Sequence, residues 1–202
     1  MESIGKRHRA RRSALTDAVA IVAGSLVVAG LAQIAVRLPF TPVPVTGQTL
    51  GVLLVGGTLG ARRGSASLLL YLAEGAAGLP FFAEGSHGLD LLRSSSATGG
   101  YLWGFVVAAL AVGMLADRGW VRSIRSSIGA MLIGEIIIYC WGVPWLSHAV
   151  GLPAQKALEL GLYPFVLGDT IKLLAAAAAL PATWRMAGPH SRRPVSRWGR
   201  WR

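Results

Sequence analysis

Tyr163-Pro164-Phe165-Val166-Leu167-Gly168-Asp169-Thr170-Ile171-Lys172-Leu173-Leu174, continued by an alanine-rich run to Trp184, sets the fold class. At about 20 residues the stretch is long enough for a helix to cross roughly 30 Å of hydrocarbon. It nevertheless carries an acid and a base three residues apart, and so on one helix face. Ionisable side chains are costly at membrane depth, which places this helix in a bundle with the pair turned toward protein or a polar cavity. The rest of the chain can supply that bundle. Of its 202 residues, 53% are hydrophobic and only 14% charged, and the mean hydropathy is positive, too apolar for a soluble domain of this size.

Five further apolar runs, over residues 13–36, 48–60, 64–79, 98–116 and 127–146, join 163–184 to predict an all-α membrane protein of six transmembrane helices. The second and third are short for full crossings and are separated by Arg62 and Arg63. Short segments either thin the bilayer or end inside the protein around a polar site. After the first run, Pro39, Pro42 and Pro44 exclude a regular helix, so unpaired backbone there must meet the interface or line a cavity. Residues 80–97 carry Glu84, His87, Asp90 and Arg93 among Gly and Ser, and read as an external loop with helical potential over 89–93, long enough to act as a lid. Trp103, Trp120, Trp141, Trp145 and Trp184 lie near span ends, as interfacial anchors do. The expected organisation is a basic N-terminus over 1–12, a membrane domain over 13–184 and a basic, disordered tail over 185–202.

A formal net charge of +11 would suggest nucleic acid in a soluble protein. Here the cations cluster before the first run, at Arg62 and Arg63, at Arg118, Arg122 and Arg125, and after the last run. Drawn on six spans, these positions share one side. Arg37, Arg93 and Lys156 take the other side, and Lys172 falls inside a span. This positive-inside pattern puts both termini in the cytoplasm, and the charge reads as topology and contact with anionic lipid, with no call for nucleic acid.

Glu74, Glu135, Asp169 and Lys172 are ionisable residues set well inside the spans, and each is a functional candidate on that ground. Asp169 and Lys172 offer a carboxylate acceptor and an ammonium donor at one spot in the outer part of the sixth helix. Glu135 has no basic neighbour in its own helix. Cys140 and His148 lack the partners that metal or nucleophilic chemistry needs. In the first run, Ala14 and Ala18, and again Ala20 and Gly24, recur at the four-residue spacing that lets another helix approach closely. The chain has no Gly-x-x-x-x-Gly-Lys-Ser/Thr phosphate loop, His-Glu-x-x-His zinc motif or Gly-x-Ser-x-Gly elbow, so neither its own ATP hydrolysis by that route nor an enzymatic role is expected.

Four motifs occur together: Val43-Pro44-Val45-Thr46-Gly47-Gln48-Thr49-Leu50-Gly51, Glu74 through Pro80, Thr98-Gly99-Gly100-Tyr101-Leu102-Trp103-Gly104-Phe105, and Gly168-Asp169-Thr170-Ile171-Lys172. In order and spacing the chain resembles the BioY family, the biotin-specific substrate-binding (S) components of energy-coupling factor (ECF) vitamin importers. The resemblance spans roughly residues 14–180. It implies a receptor in a prokaryotic cell (inner) membrane that captures biotin from outside and needs no cofactor of its own. A transmembrane coupling subunit and two ABC ATPases would supply the energy, docking on the small-residue face of Ala14, Ala18, Ala20 and Gly24. It also implies a binding site of Asp169, Lys172, Gln48 and Thr46, with Tyr71 and Tyr101 enclosing the bicyclic body and Glu74 lining the pocket. Asp169 would accept from the ureido N–H groups, and Lys172 or Gln48 would donate to the ureido carbonyl. For the biotin carboxylate the family often places an arginine in the glycine-rich external connection. Here His87 stands in its place, with Arg93 nearby to take over. A second reading is a self-sufficient, proton-coupled carrier of biotin or another vitamin that uses Glu74, Glu135 or Asp169 as a relay.

Overall fold

The computed structural model describes the backbone of residues 2–186 and side-chain surroundings for 14–183. The expected basic tail lies outside the described residues from 187 onward, as do the side chains of the basic N-terminus. Six α-helices follow in order: α1 (Glu2–Ala32), α2 (Gln48–Ala76), α3 (Gly99–Asp117), α4 (Ile124–Val150), α5 (Ala154–Gly161) and α6 (Tyr163–Met186). Among the described residues, four segments are long and apolar enough to cross a membrane: Ala14–Ala32, Gly99–Asp117, Ile124–Val150 and Tyr163–Thr183. Leu15, Val19 and Leu26 on α1, Leu132 and Ile136 on α4, and Leu167, Ile171 and Leu174 on α6 stand exposed on the outer surface. Such outward apolar faces suit lipid better than water.

The backbone departs from the sequence expectation at two places. The first apolar run does not stay helical to residue 36: α1 stops at Ala32, and Ala35–Val36 forms strand β1, paired antiparallel with Val45–Thr46 as β2. The three prolines occupy the loop between the strands, where no ladder N–H is required of them. The second and third runs are not divided by a loop at Arg62 and Arg63, which are helical. The division is at Gly60, whose φ of 78° and ψ of −179° interrupt α2. Such an extended left-handed conformation is accessible essentially to glycine alone.

At Gly60 the chain folds back. The Gln48 amide donates to the Tyr71 hydroxyl at 2.6 Å, although these residues would stand about 34 Å apart along an unbroken helix. α2 is thus two antiparallel arms. The Asp117 carboxylate, at the end of α3, accepts the Ala61 N–H at 3.1 Å and caps the start of the second arm, satisfying a donor that has no partner within the helix.

α3 lies against this hairpin by main-chain approach. A Cβ on Gly56 would come within 2.9 Å of the Ala109 carbonyl, and one on Gly113 within 2.5 Å of the Ala61 Cα. Small residues provide such contact where no hydrophobic effect draws helices together. α4 packs on the other side of α3, and α6 closes against α4 and α2. α1 is held to the second arm of α2 by Arg63 paired with Asp17 and by Ser25 donating to Glu74. The short α5, in a stretch to which the sequence reading assigned no element, follows an αL turn at Gly151 and leads into α6.

Candidate functional site

A cavity of about 730 Å³ opens between the β1–β2 loop, the segment from Phe82 to Thr98, and the facing ends of α2, α3, α4 and α6. That volume is within the usual range for small-molecule sites. Its polar groups gather at two poles, an inner one on α6 and an outer one at the mouth.

The inner pole is built on Asp169 and Lys172, whose side chains are 6% and 18% exposed. The Lys172 ammonium donates to Asp169 Oδ1 at 2.7 Å, to the Thr46 carbonyl at 2.6 Å and to Thr49 Oγ1 at 3.3 Å. Thr49 in turn donates to Asp169 Oδ1 at 3.1 Å, and the Tyr139 hydroxyl donates to Oδ2. Thr46 donates to Gln48 Oε1 at 2.9 Å, and Gln48 passes the chain on to Tyr71. Burying two charges is tolerable only when they pair closely and take further hydrogen bonds, as they do here, while Asp169 Oδ2, with Tyr139 as its donor, keeps room to accept another and the 3.3 Å contact of Lys172 to Thr49 is long enough to exchange. The prolines make this possible: they keep 45–46 extended beside α2, so the Thr46 carbonyl is free to point at Lys172 rather than into a helix.

Aromatic and aliphatic walls surround this pole. Tyr101 and Tyr139 meet edge to face with centroids 6.3 Å apart, and Tyr101 donates to the Gly161 carbonyl at 2.8 Å, tying α3 to the end of α5. Phe82, Phe105, Ile138 and Phe165 complete the lining. At the mouth, Arg37 pairs with Glu84.

Of the residues singled out from sequence, Asp169, Lys172, Gln48, Thr46 and Tyr101 come together around the cavity. The others do not line it. Tyr71 is buried behind Gln48, edge-on to Phe82. Glu74 faces α1, where it accepts from Ser25. His87 is exposed with Nδ1 3.3 Å from the Gly85 carbonyl, and Arg93 pairs with Asp90 at 2.6 Å on the outer surface. On α1, Ala14 and Ala18 are exposed and Ala20 half-buried, but Gly24 packs inward: a Cβ there would lie 2.8 Å from the Ser67 Cβ. Glu135 is buried on α4 with neither carboxyl oxygen hydrogen-bonded. It lines a second cavity of about 510 Å³ between α4, α5 and α6, which Tyr139 and Asp169 share.

Sequence reasoning missed Tyr139, Thr49, Arg37 and Glu84 as site residues. Thr49 stands inside the 43–51 motif, directly after Gln48, and that adjacency is its signal. Tyr139 looks like one more member of an apolar run, and Arg37 and Glu84 are 47 positions apart.

The family model described as the BioY family matches residues 6–189. "Biotin transporter BioY" of Rhizobium etli is 36% identical over 165 residues, covering 78% of this chain and 86% of the relative. "Biotin transporter BioY" of Thermotoga maritima is 37% identical over 142 residues, covering 70% and 81%. Among solved structures, the S-component for biotin from an ECF-type ABC transporter superposes with a TM-score of 0.75 at 23% identity, covering 88% of this chain and 94% of the other. That likeness supports the fold, and the match across most of the sequence settles the lineage: this chain belongs to the BioY family.

Proposed function

We propose that this chain captures biotin in the cavity above α6 and is the substrate-specific subunit of an ECF-type importer. The observation that carries the reading is the Asp169–Lys172 pair, an acceptor and a donor side by side at the inner end of a cavity walled by aromatic and aliphatic side chains. A cyclic urea needs this set. Its N–H groups require an acceptor and its carbonyl a donor, while its fused thioether ring is satisfied by apolar contact. Asp169 serves the first need and Lys172 the second, with Tyr101, Phe105, Ile138 and Phe165 around the rings and the valerate chain running toward the mouth.

In this reading α1, the two arms of α2, α3, α4 and α6 make six crossings, and the basic residues at Arg62, Arg63 and Arg118 to Arg125 support a cytoplasmic side for both termini. The cavity then faces outward, where a scavenged vitamin arrives. The chain is a binding subunit and not an enzyme. A transmembrane coupling subunit and two ABC ATPases would drive release inward, with the exposed Ala14 and Ala18 of α1 as the docking face.

Equilibrium binding of biotin, thiamin and riboflavin to the purified full chain tests the reading. Selective binding of biotin supports it, and equal or absent biotin binding overturns it. One observation favours a second reading. The unpartnered Glu135, beside Tyr139 and Asp169 in the second cavity, is the group a self-sufficient proton-coupled carrier would use. Biotin uptake into liposomes by this chain alone, driven by a pH gradient and lost in Glu135→Gln, would favour that carrier over the ATP-driven importer.

A further inference from the structure

The mouth of the cavity holds the second inference. Arg37 and Glu84 both line it, and they form an ion pair with each other. Arg37 follows strand β1, whose Val36 is paired with Val45, so its backbone is fixed. Glu84 lies on a tight loop closed by Phe82 N–H to the Ser86 carbonyl at 3.0 Å and Gly85 N–H to the Phe82 carbonyl at 3.1 Å. The Gln33 amide donates to the Pro80 and Phe82 carbonyls, each at 3.3 Å, and so anchors that loop to the end of α1. Glu84 is the one non-glycine residue with positive φ among the described residues, at 58°. A left-handed glutamate is an unfavourable conformation that its surroundings must impose, and such outliers point to a use for the side chain.

If the cavity takes biotin, a monoanion enters a space whose two cations, Lys172 and Arg37, are both already neutralised. Displacing Asp169 from Lys172 would leave a carboxylate 94% buried without its counter-ion, which is severe. Displacing Glu84 from Arg37 sends a carboxylate that is already 30% exposed into water, from a guanidinium 81% exposed. Exposed pairs are weak, so freeing Arg37 from Glu84 costs little. Glu84's hydrogen bond and charge raise the Arg37 guanidinium above its usual pKa, which already lies far above neutrality, so Arg37 is charged with or without Glu84 beside it. His87 and Arg93 do not line the cavity, and Arg93 is engaged by Asp90.

We propose that Arg37 is the carboxylate-binding residue of this site and that Glu84 holds it as a resident placeholder which the substrate's carboxylate displaces. This rests on the biotin reading above. Both backbones stay in place and only side chains change partners, so capture needs no movement of the 80–97 segment at this point. The placeholder also sets selectivity. A neutral analogue cannot displace Glu84, whereas a carboxylate can.

The test compares biotin with its neutral carboxamide on the purified full chain, by equilibrium binding. Arg37→Gln is expected to weaken biotin about fivefold and leave the carboxamide within about twofold, the scale of an exposed ion pair. Glu84→Gln, which removes the competitor and keeps the side-chain length, is expected to tighten biotin by about two- to threefold and leave the carboxamide unchanged. Thermal melting of both variants near wild type confirms that they fold. Unchanged biotin affinity in Arg37→Gln, or equal loss for biotin and carboxamide, overturns the proposal. Failure of the wild-type chain to bind biotin overturns the biotin reading and this one together. A wild-type chain that binds biotin and carboxamide alike overturns this one alone.

Discussion

The cavity has an ion pair at each end, and the two differ in almost every physical respect. Asp169 and Lys172 are three residues apart on one helix face, buried, and held by Thr46, Thr49 and Tyr139 as well as by each other. Arg37 and Glu84 are 47 positions apart on two connections, nearer to water, and joined through Arg37 Nε and Nη2, which both reach Glu84 Oε2. The inner pair is fixed because breaking it strands a charge in low dielectric. The outer pair can be exchanged because either partner can turn to water. Rigid recognition belongs at the closed end and exchange at the mouth.

The sharpest way to break this contrast is to remove one inner partner. Asp169→Asn or Lys172→Ala should cost about 3–5 kcal/mol where an uncompensated buried charge remains, and biotin affinity should fall by roughly two to three orders of magnitude. The double variant Asp169→Asn/Lys172→Met should melt closer to wild type than Lys172→Ala does, yet still fail to bind. If the single variants bind biotin normally, the inner pole is not the recognition site. Tyr139→Phe is the intermediate case. It deletes one donor to Asp169 and should weaken biotin roughly tenfold with little change in melting temperature. The smallest effect is expected from reversing the mouth, Arg37→Glu/Glu84→Arg, which keeps a pair across the opening. Biotin affinity should stay within about fivefold of wild type, while Arg37→Glu alone should fall further. Equal loss at both poles on charge reversal would remove the distinction drawn here.

The sequence made the inner pair legible because helical periodicity alone places residues 169 and 172 together. Hydropathy likewise marked the long apolar runs, and the prolines marked the break after α1. What could not be read was rotation. A helix apolar on all sides gives no signal of which face meets lipid and which meets protein, so Glu74 could as well have faced the cavity as Ser25, and Tyr139 carried no sign that it would reach Asp169. Gly60 was one of 26 glycines, and only its backbone angles single it out as the turning point. Contacts between distant connections, such as Arg37 with Glu84 or Thr41 with the Leu160 carbonyl at 2.7 Å, have no local periodicity to betray them.

The seam where α3 meets the hairpin of α2 has a consequence for how this protein tolerates change. In a water-soluble domain, the unforgiving positions are the bulky interior ones, since shrinking them opens a void. Here much of the bulk faces lipid, where one aliphatic group substitutes well for another. The unforgiving positions are those with no side chain at all: Gly56, facing the Ala109 carbonyl, and Gly113, facing Ala61. A single added methyl there wedges two main chains apart and travels through Asp117 to the turn at Gly60. A map of damaging substitutions would therefore trace a line of glycines distant from the cavity, and a reader looking only for lost contacts with the ligand would mistake the hinge pins for bystanders.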